Sequence, residues 1–160
     1  MTPKPYGIQR LRETFVVAEA TRKTMRANRA KDTGPEVALR KALWAAGLRG
    51  YRKNVRGLPG VPDVVYGPAR LAVFVHGCFW HRCPLCARNV SPKTNAAYWQ
   101  AKRGQNAERD ARNQVALTAM GYRVMVVWEC ELARDPVGVV ARVRAAREAP
   151  PEGPSHAAEA

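Results

Sequence analysis

Residues 75–86 read VHGCFWHRCPLC and crowd two histidines, three cysteines, a phenylalanine and a tryptophan together. The spacing is Cys78-x4-Cys83-x2-Cys86, with Cys130 far downstream and no other cysteine in the chain. A Cys-x-x-Cys pair offers two thiolates from one tight turn, and tetrahedral zinc takes four such ligands. In a reducing compartment these residues point to metal or chemistry rather than disulfides. A redox dithiol needs only two of the four, and four small buried side chains are the remaining alternative. A zinc held by four thiolates has no open position, so this ion would be structural.

A second group sits beside the first. Asp63, in VPDVV, is expected on one strand, and His76 ends the next across a short turn. Magnesium-dependent phosphodiester hydrolysis needs a carboxylate projecting from a sheet edge and a base that reaches the attacking water. Histidine titrates near neutral pH and suits either base or phosphate partner. Singly, Asp63 reads equally well as a turn residue, and His76 and His81 as ordinary loop side chains. Their grouping near one sheet edge favours the catalytic reading.

The elements that must position these residues follow from periodicity. Residues 1–20 read as an arm and the start of a first helix, whose later half is basic through Arg22, Lys23, Arg26 and Arg29. Asp32 or Thr33 caps a second helix with Pro35 and Glu36 in its first turn; Val37, Leu39, the Arg40 stem, Leu43 and Trp44 form its buried face, and Gly47 ends it. Short strands follow, divided by turns at GLPGVP and GP. A long helical region starts near Thr94 or Asn95, with Gly104 a potential break and Gly121 its stop. A buried strand over 122–128 and a helix from Leu132 to Glu148 complete the domain, leaving 149–160 as a disordered tail. This order predicts an α/β fold with a mixed central sheet and helices on both faces. If the strand before Cys78 and the strand before Cys130 are parallel neighbours, both cysteines emerge at one sheet edge.

Composition selects the partner class. Lys and Arg number 27 against 13 Asp and Glu, a formal charge of +14, which predicts attraction to a polyanion such as nucleic acid. No apolar run approaches the ~18 residues of a membrane span, and the N-terminus lacks a signal-peptide core, so the expectation is cytoplasmic with no membrane partner.

Five segments, TRKTMRANRAKDTGPEVALRKALW, GLPGVPDVV, VFVHGCFWHRC, YWQAKRGQNAERD and GYRVMVVWEC, resemble in order the very short patch repair (Vsr) family of DNA mismatch endonucleases. The resemblance covers roughly residues 20–131 and implies a restriction-endonuclease-like α/β/α sandwich with a zinc site, over an endonuclease domain at 21–148. It implies a magnesium-dependent enzyme that nicks beside the thymine of a T·G mismatch, the product of 5-methylcytosine deamination. Asp63 then matches the catalytic, magnesium-binding aspartate. Val75 matches the residue that binds metal through its carbonyl, where several relatives carry threonine. His76 and His81 match the two active-site histidines, His81 being the preferred base. Glu36 matches an acidic residue that supports the metal's water shell. Cys78, Cys83, Cys86 and Cys130 fall at or beside the zinc positions, although some relatives have histidine near Cys83.

For DNA, Phe79, Trp80 and Trp99 match an aromatic wedge inserted from the major groove, and Met25 a residue approaching from the minor groove. Lys102 and Asn106 match residues that read the mismatched bases, while Arg22, Lys23, Arg26 and Arg29 would grip phosphates. The implied partners are duplex DNA with a T·G mismatch and, as candidates, mismatch-repair proteins, with the enzyme acting as a monomer. From another class, the alternative is a non-catalytic, zinc-stabilised module that recognises distorted duplex.

Overall fold

Alternate side chains of the segment LAVFVH turn to opposite faces of a sheet, and both faces are covered. The computed structural model describes residues 31–87 and 93–150. The expected N-terminal arm and basic helix, with Arg22, Lys23, Met25, Arg26 and Arg29, lie outside the described residues, as do residues 151–160 of the expected tail.

The described elements are α1 (Gly34–Ala45), β1 (Arg52–Lys53), β2 (Val64–Tyr66), β3 (Leu71–His76), α2 (Ala96–Ala119), β4 (Arg123–Trp128), α3 (Glu129–Arg134) and α4 (Pro136–Glu148). They form one sheet in the order β1-β2-β3-β4. β1 and β2, and β2 and β3, are antiparallel hairpin pairs, whereas β3 and β4 run parallel with His76 opposite Trp128. The sheet is therefore mixed, as the sequence predicts. A parallel pair needs a crossover, and here it holds both the cysteine loop and α2.

One face packs Leu71 and Val73 of β3 and Val127 of β4 against Leu39 and Leu43 of α1, Leu132 of α3 and Val139 and Val143 of α4. The other packs Ala72 and Phe74 against Leu117 of α2, with Tyr122, Val124 and Val126 at its margin. Burial of these aliphatic side chains stabilises the fold by roughly 1.5–3 kcal/mol each before chain entropy is counted. Leu71 on one face and Leu117 on the other have no exposed surface, so truncating either to alanine opens a cavity.

Three local expectations are corrected. Trp44 is 56% exposed, with the Arg49 guanidinium 4.3 Å from its ring centroid, so it caps the end of α1 instead of entering the core. Gly104 does not interrupt α2, because the flanking turns continue through it. The last helix is two: Pro136 disfavours helical backbone at Asp135, and Asp135 instead caps α4 by accepting from the Gly138 N–H at 2.8 Å. The first of the two begins at Glu129, so Cys130 belongs to the first turn of α3 and not to an extended strand end.

Candidate active site and metal centre

β3 and β4 end side by side, and the chain beyond each end supplies the chemistry. Cys78 and Cys130 each lie two residues past the paired His76 and Trp128, which brings them to one edge. A turn closed by Gly77 and Cys78 carbonyls, accepting from the His81 and Cys83 N–H groups at 3.2 and 3.0 Å, returns Cys83 to the same place. The ligand atoms of Cys78, Cys83, Cys86 and Cys130 all lie within 4.8 Å of one another. The Cys83 and Cys130 sulfurs are 3.6 Å apart. That excludes a disulfide, which needs about 2.05 Å, and approaches the ~3.8 Å that 2.3 Å bonds give across a tetrahedral zinc. The Leu85 N–H points to the Cys83 sulfur at 3.3 Å and the Cys130 N–H to the Cys78 sulfur at 3.4 Å, contacts that favour thiolates. Burial pushes the Cys78 and Cys130 thiols up, and a cation in the centre of the cluster would reverse that by stabilising the anionic form. The donor set therefore fits a thiophilic, tetrahedral ion.

The cysteine cluster adjoins an open cleft of about 1260 Å³, whose walls include Glu36, Asp63, Val75, His76, Trp80, His81, Asp110 and Glu129. Asp63 immediately precedes β2. Its N–H donates to the Val73 carbonyl at 3.0 Å and its carboxylate accepts from the Val75 N–H at 2.7 Å. Burial raises its pKa to about 6; the Val75 N–H opposes this, Glu36 adds to it, and the charges of Arg40 and His81 oppose it. A strand residue turns its N–H and C=O to the same neighbour, so the Val75 carbonyl faces the Asp63 side. These are oxygen donors of the kind a hard divalent cation takes. Glu36 is buried; its carboxylate accepts from the Asp32 N–H at 2.7 Å and the Thr33 hydroxyl at 2.8 Å, and lies 3.8 Å from Arg40.

His76 and His81 stack, with ring centroids 4.0 Å apart and planes 15° from parallel. Burial first, and then the neighbouring His81, lower the His76 pKa to about 4 against the pull of Asp110. His81 Nδ1 lies 2.5 Å from the Asp110 carboxylate. Burial alone would raise the Asp110 pKa, but the hydrogen bond and charge of His81, with His76 and Arg109, bring it below the usual carboxylate value. In the neutral tautomer that donates from Nδ1 to Asp110, the other ring nitrogen of His81 carries a lone pair. Asp110 escaped the sequence reading: in NAERDARNQ it resembles one more solvated charge on a helix, and its partner is 29 residues away. Glu129 escaped it too. It belongs to the WEC segment, accepts from the Cys78 N–H at 3.3 Å, and links the cysteine cluster to the cleft wall.

The aromatic residues meet in a cluster of their own. Phe79 lies 5.2 Å from both Trp80 and Trp99, and Trp99 lies 5.6 Å from Trp80 and 5.3 Å from Tyr98, all edge to face. Phe79 and Trp80 are partly buried, but Trp99 is only 8% exposed and sits beneath them with Tyr98. Lys102 lies over the Trp80 ring at 5.5 Å, and the Asn106 side-chain amide donates to the Trp80 carbonyl at 3.2 Å. Trp99, Lys102, Asn106 and Asp110 recur at helical spacing on α2, so one helix face connects the aromatic cluster to the His81–Asp110 pair.

The sequence profile described as "DNA mismatch endonuclease Vsr" matches residues 15–87. The chain is 44% identical over 126 residues to the protein named Type II nicking enzyme V.XorIIP of Xanthomonas oryzae pv. oryzae, covering 79% of this chain and 90% of that one. It is 45% identical over 107 residues to Type II nicking enzyme V.NmeAIP of Neisseria meningitidis, with 67% and 75% covered. It is also 43% identical over 115 residues to DNA mismatch endonuclease Vsr of Escherichia coli K12, with 71% and 72% covered. Identity of this depth across most of both chains, together with a cleft of acidic and imidazole groups beside a four-cysteine cluster, places the chain in the Vsr DNA mismatch endonuclease family.

Proposed function

We propose that this protein is a DNA endonuclease that nicks one strand beside the thymine of a T·G mismatch, in a magnesium-dependent reaction. The observation that carries the reading is the pairing of Asp63, held by the Val75 N–H, with a His81–Asp110 dyad across the same cleft. The fold is read as the restriction-endonuclease-like sandwich, with the catalytic domain at 21–148. When bound, magnesium supplies Lewis-acid polarisation of the scissile phosphate and a lowered pKa for the attacking water. Asp63 and the Val75 carbonyl are the groups to hold it, with Glu36 near Asp63 adding negative charge.

His81 takes the proton from the attacking water at Nε2, and Asp110 fixes the ring and stabilises its charged form. His76, kept neutral by burial, meets the phosphate as a hydrogen-bond donor. Zinc fits the four cysteines and anchors the loop that carries Phe79, Trp80 and His81. The partly exposed Phe79 and Trp80 enter the opened base step, Trp99 supports them from below, and Lys102 and Asn106 approach the mismatched bases. Unstacking costs a few kcal/mol, less at a mismatch, and aromatic stacking offsets it. Arg22, Lys23, Arg26 and Arg29 of the N-terminal segment would hold the backbone, and Met25 would approach from the minor groove. The relatives named as nicking enzymes and as a mismatch endonuclease support both the reaction and the substrate class.

The test is a nicking assay on T·G and fully paired duplex, with magnesium or with chelator. Magnesium-dependent nicking of the T·G duplex is expected; tight binding to it without cleavage under any divalent ion would favour a non-catalytic recognition module.

A further inference from the structure

Two residues outside the proposed chemistry touch each other, and each stands three positions from a carboxylate of the cleft. Gly60 precedes Asp63 by three, and Asn113 follows Asp110 by three on the same face of α2. A Cβ placed on Gly60 would meet the Asn113 side-chain nitrogen at 2.8 Å, so the amide of Asn113 lies directly against the Gly60 backbone. Gly60 also has φ +74°, a conformation costly for other residues. The next residue, Val61, has φ +52°, a genuine outlier for a β-branched side chain. Val61 is 42% exposed, so its own burial does not compensate the strain. The turn is held instead by hydrogen bonds from the Val61 N–H to the Leu58 carbonyl at 3.1 Å and from the Val55 N–H to the Pro62 carbonyl at 3.2 Å. Strain kept at an exposed position beside a cleft is a functional signal.

We propose that Asn113 and the Gly60–Val61 turn are positioning residues: they clamp the segment leading into Asp63 against α2 and so fix Asp63 relative to the His81–Asp110 pair. Asp63 and Asp110 otherwise depend on different elements, the approach to β2 and the middle of α2. A metal-binding carboxylate and a base must be aligned to fractions of an ångström, and a small misplacement costs rate more than affinity. The inference rests on the proposed roles of Asp63, His81 and Asp110.

The experiment compares Asn113→Ala, Gly60→Ala, their double variant and Val61→Gly, with Asp63→Asn as reference, in single-turnover nicking of T·G duplex over a magnesium titration. Each protein is assayed well below its melting temperature. Asn113→Ala is expected to slow nicking about tenfold and to raise the magnesium needed for half-maximal rate, with duplex Kd unchanged. Gly60→Ala should slow it more, and the double variant should recover part of that loss because the smaller side chain makes room for the new methyl group. Val61→Gly should melt higher yet cut more slowly. Wild-type rates and magnesium requirement in Asn113→Ala and Val61→Gly, with only melting temperatures changed, would overturn the proposal. Full nicking by Asp63→Asn would instead remove the catalytic reading beneath it.

Discussion

At Asp63, the proposed catalytic role and stability pull in opposite directions. Its pKa is raised by burial to about 6, so the folded chain binds the Asp63 proton more tightly than the unfolded chain does. The favourable contribution is therefore present below the unfolded pKa of 3.8 and lost as pH rises through about 6. Above that pH the ionised carboxylate costs about 2 kcal/mol after allowance for partial exposure. In chelator at pH 7.5, Asp63→Asn should melt higher by on the order of 5 °C, and the difference should vanish near pH 4. Thermal scans across pH check this; equal melting temperatures at pH 7.5 would mean the carboxylate is not strained by its burial. The same substitution should abolish nicking, since the amide keeps the Val75 hydrogen bond but not the charge. Asp110→Asn tests the other half of the cleft. It removes the carboxylate 2.5 Å from His81 Nδ1, and kcat should fall by about 10²-fold or more while duplex Kd stays within a factor of two or so.

Among the elements, the loop between β3 and α2 and the stripe along α2 determine where the aromatic side chains sit relative to the cleft. Trp99 and Asp110 are separated by about 16 Å of helix at 1.5 Å per residue, and Asn106, between them, accepts the task of holding the Trp80 carbonyl. Trp80→Ala should weaken T·G duplex binding by roughly ten- to a hundredfold, the worth of one stacking contact, and paired duplex far less. Equal losses on both duplexes would make Trp80 a packing residue. Cys130→Ala removes the proposed zinc ligand that joins α3 to this loop, so elemental analysis should show loss of about one zinc per chain together with a lower melting temperature. Much of this was legible beforehand, because short-range signals carry it. Pro35, the Gly and Pro turns and the alternation in LAVFVH define their elements locally, and the parallel pairing of β3 with β4 meets the condition under which Cys78 and Cys130 emerge at one edge. What stayed hidden depends on contacts distant in sequence. Nothing around Asp110 announces His81, nothing in the α1 periodicity distinguishes a buried Trp44 from an exposed one, and Asn113 acquires meaning only when Gly60 lies against it.

For the whole molecule, the formal charge of +14 and the cleft make non-specific attraction and the proposed mismatch recognition separable contributions. Lys31, Arg56 and Arg109 line the cleft with its acidic groups, which places cations where a phosphate backbone would pass. Binding to paired duplex should therefore fall steeply with salt, with a log–log slope of about −5, and T·G duplex should show a similar slope with a constant affinity advantage. A flat dependence would mean the basic residues face away from DNA. The most direct test of the account is single-turnover cleavage of a T·G duplex carrying a different label on each strand, in magnesium, by wild type and Asp63→Asn. The account predicts one break, in the thymine strand beside the mismatch, produced by wild type alone and absent from the matched C·G duplex. Cleavage of both strands, equal cleavage of the paired duplex, or full activity in Asp63→Asn would contradict it.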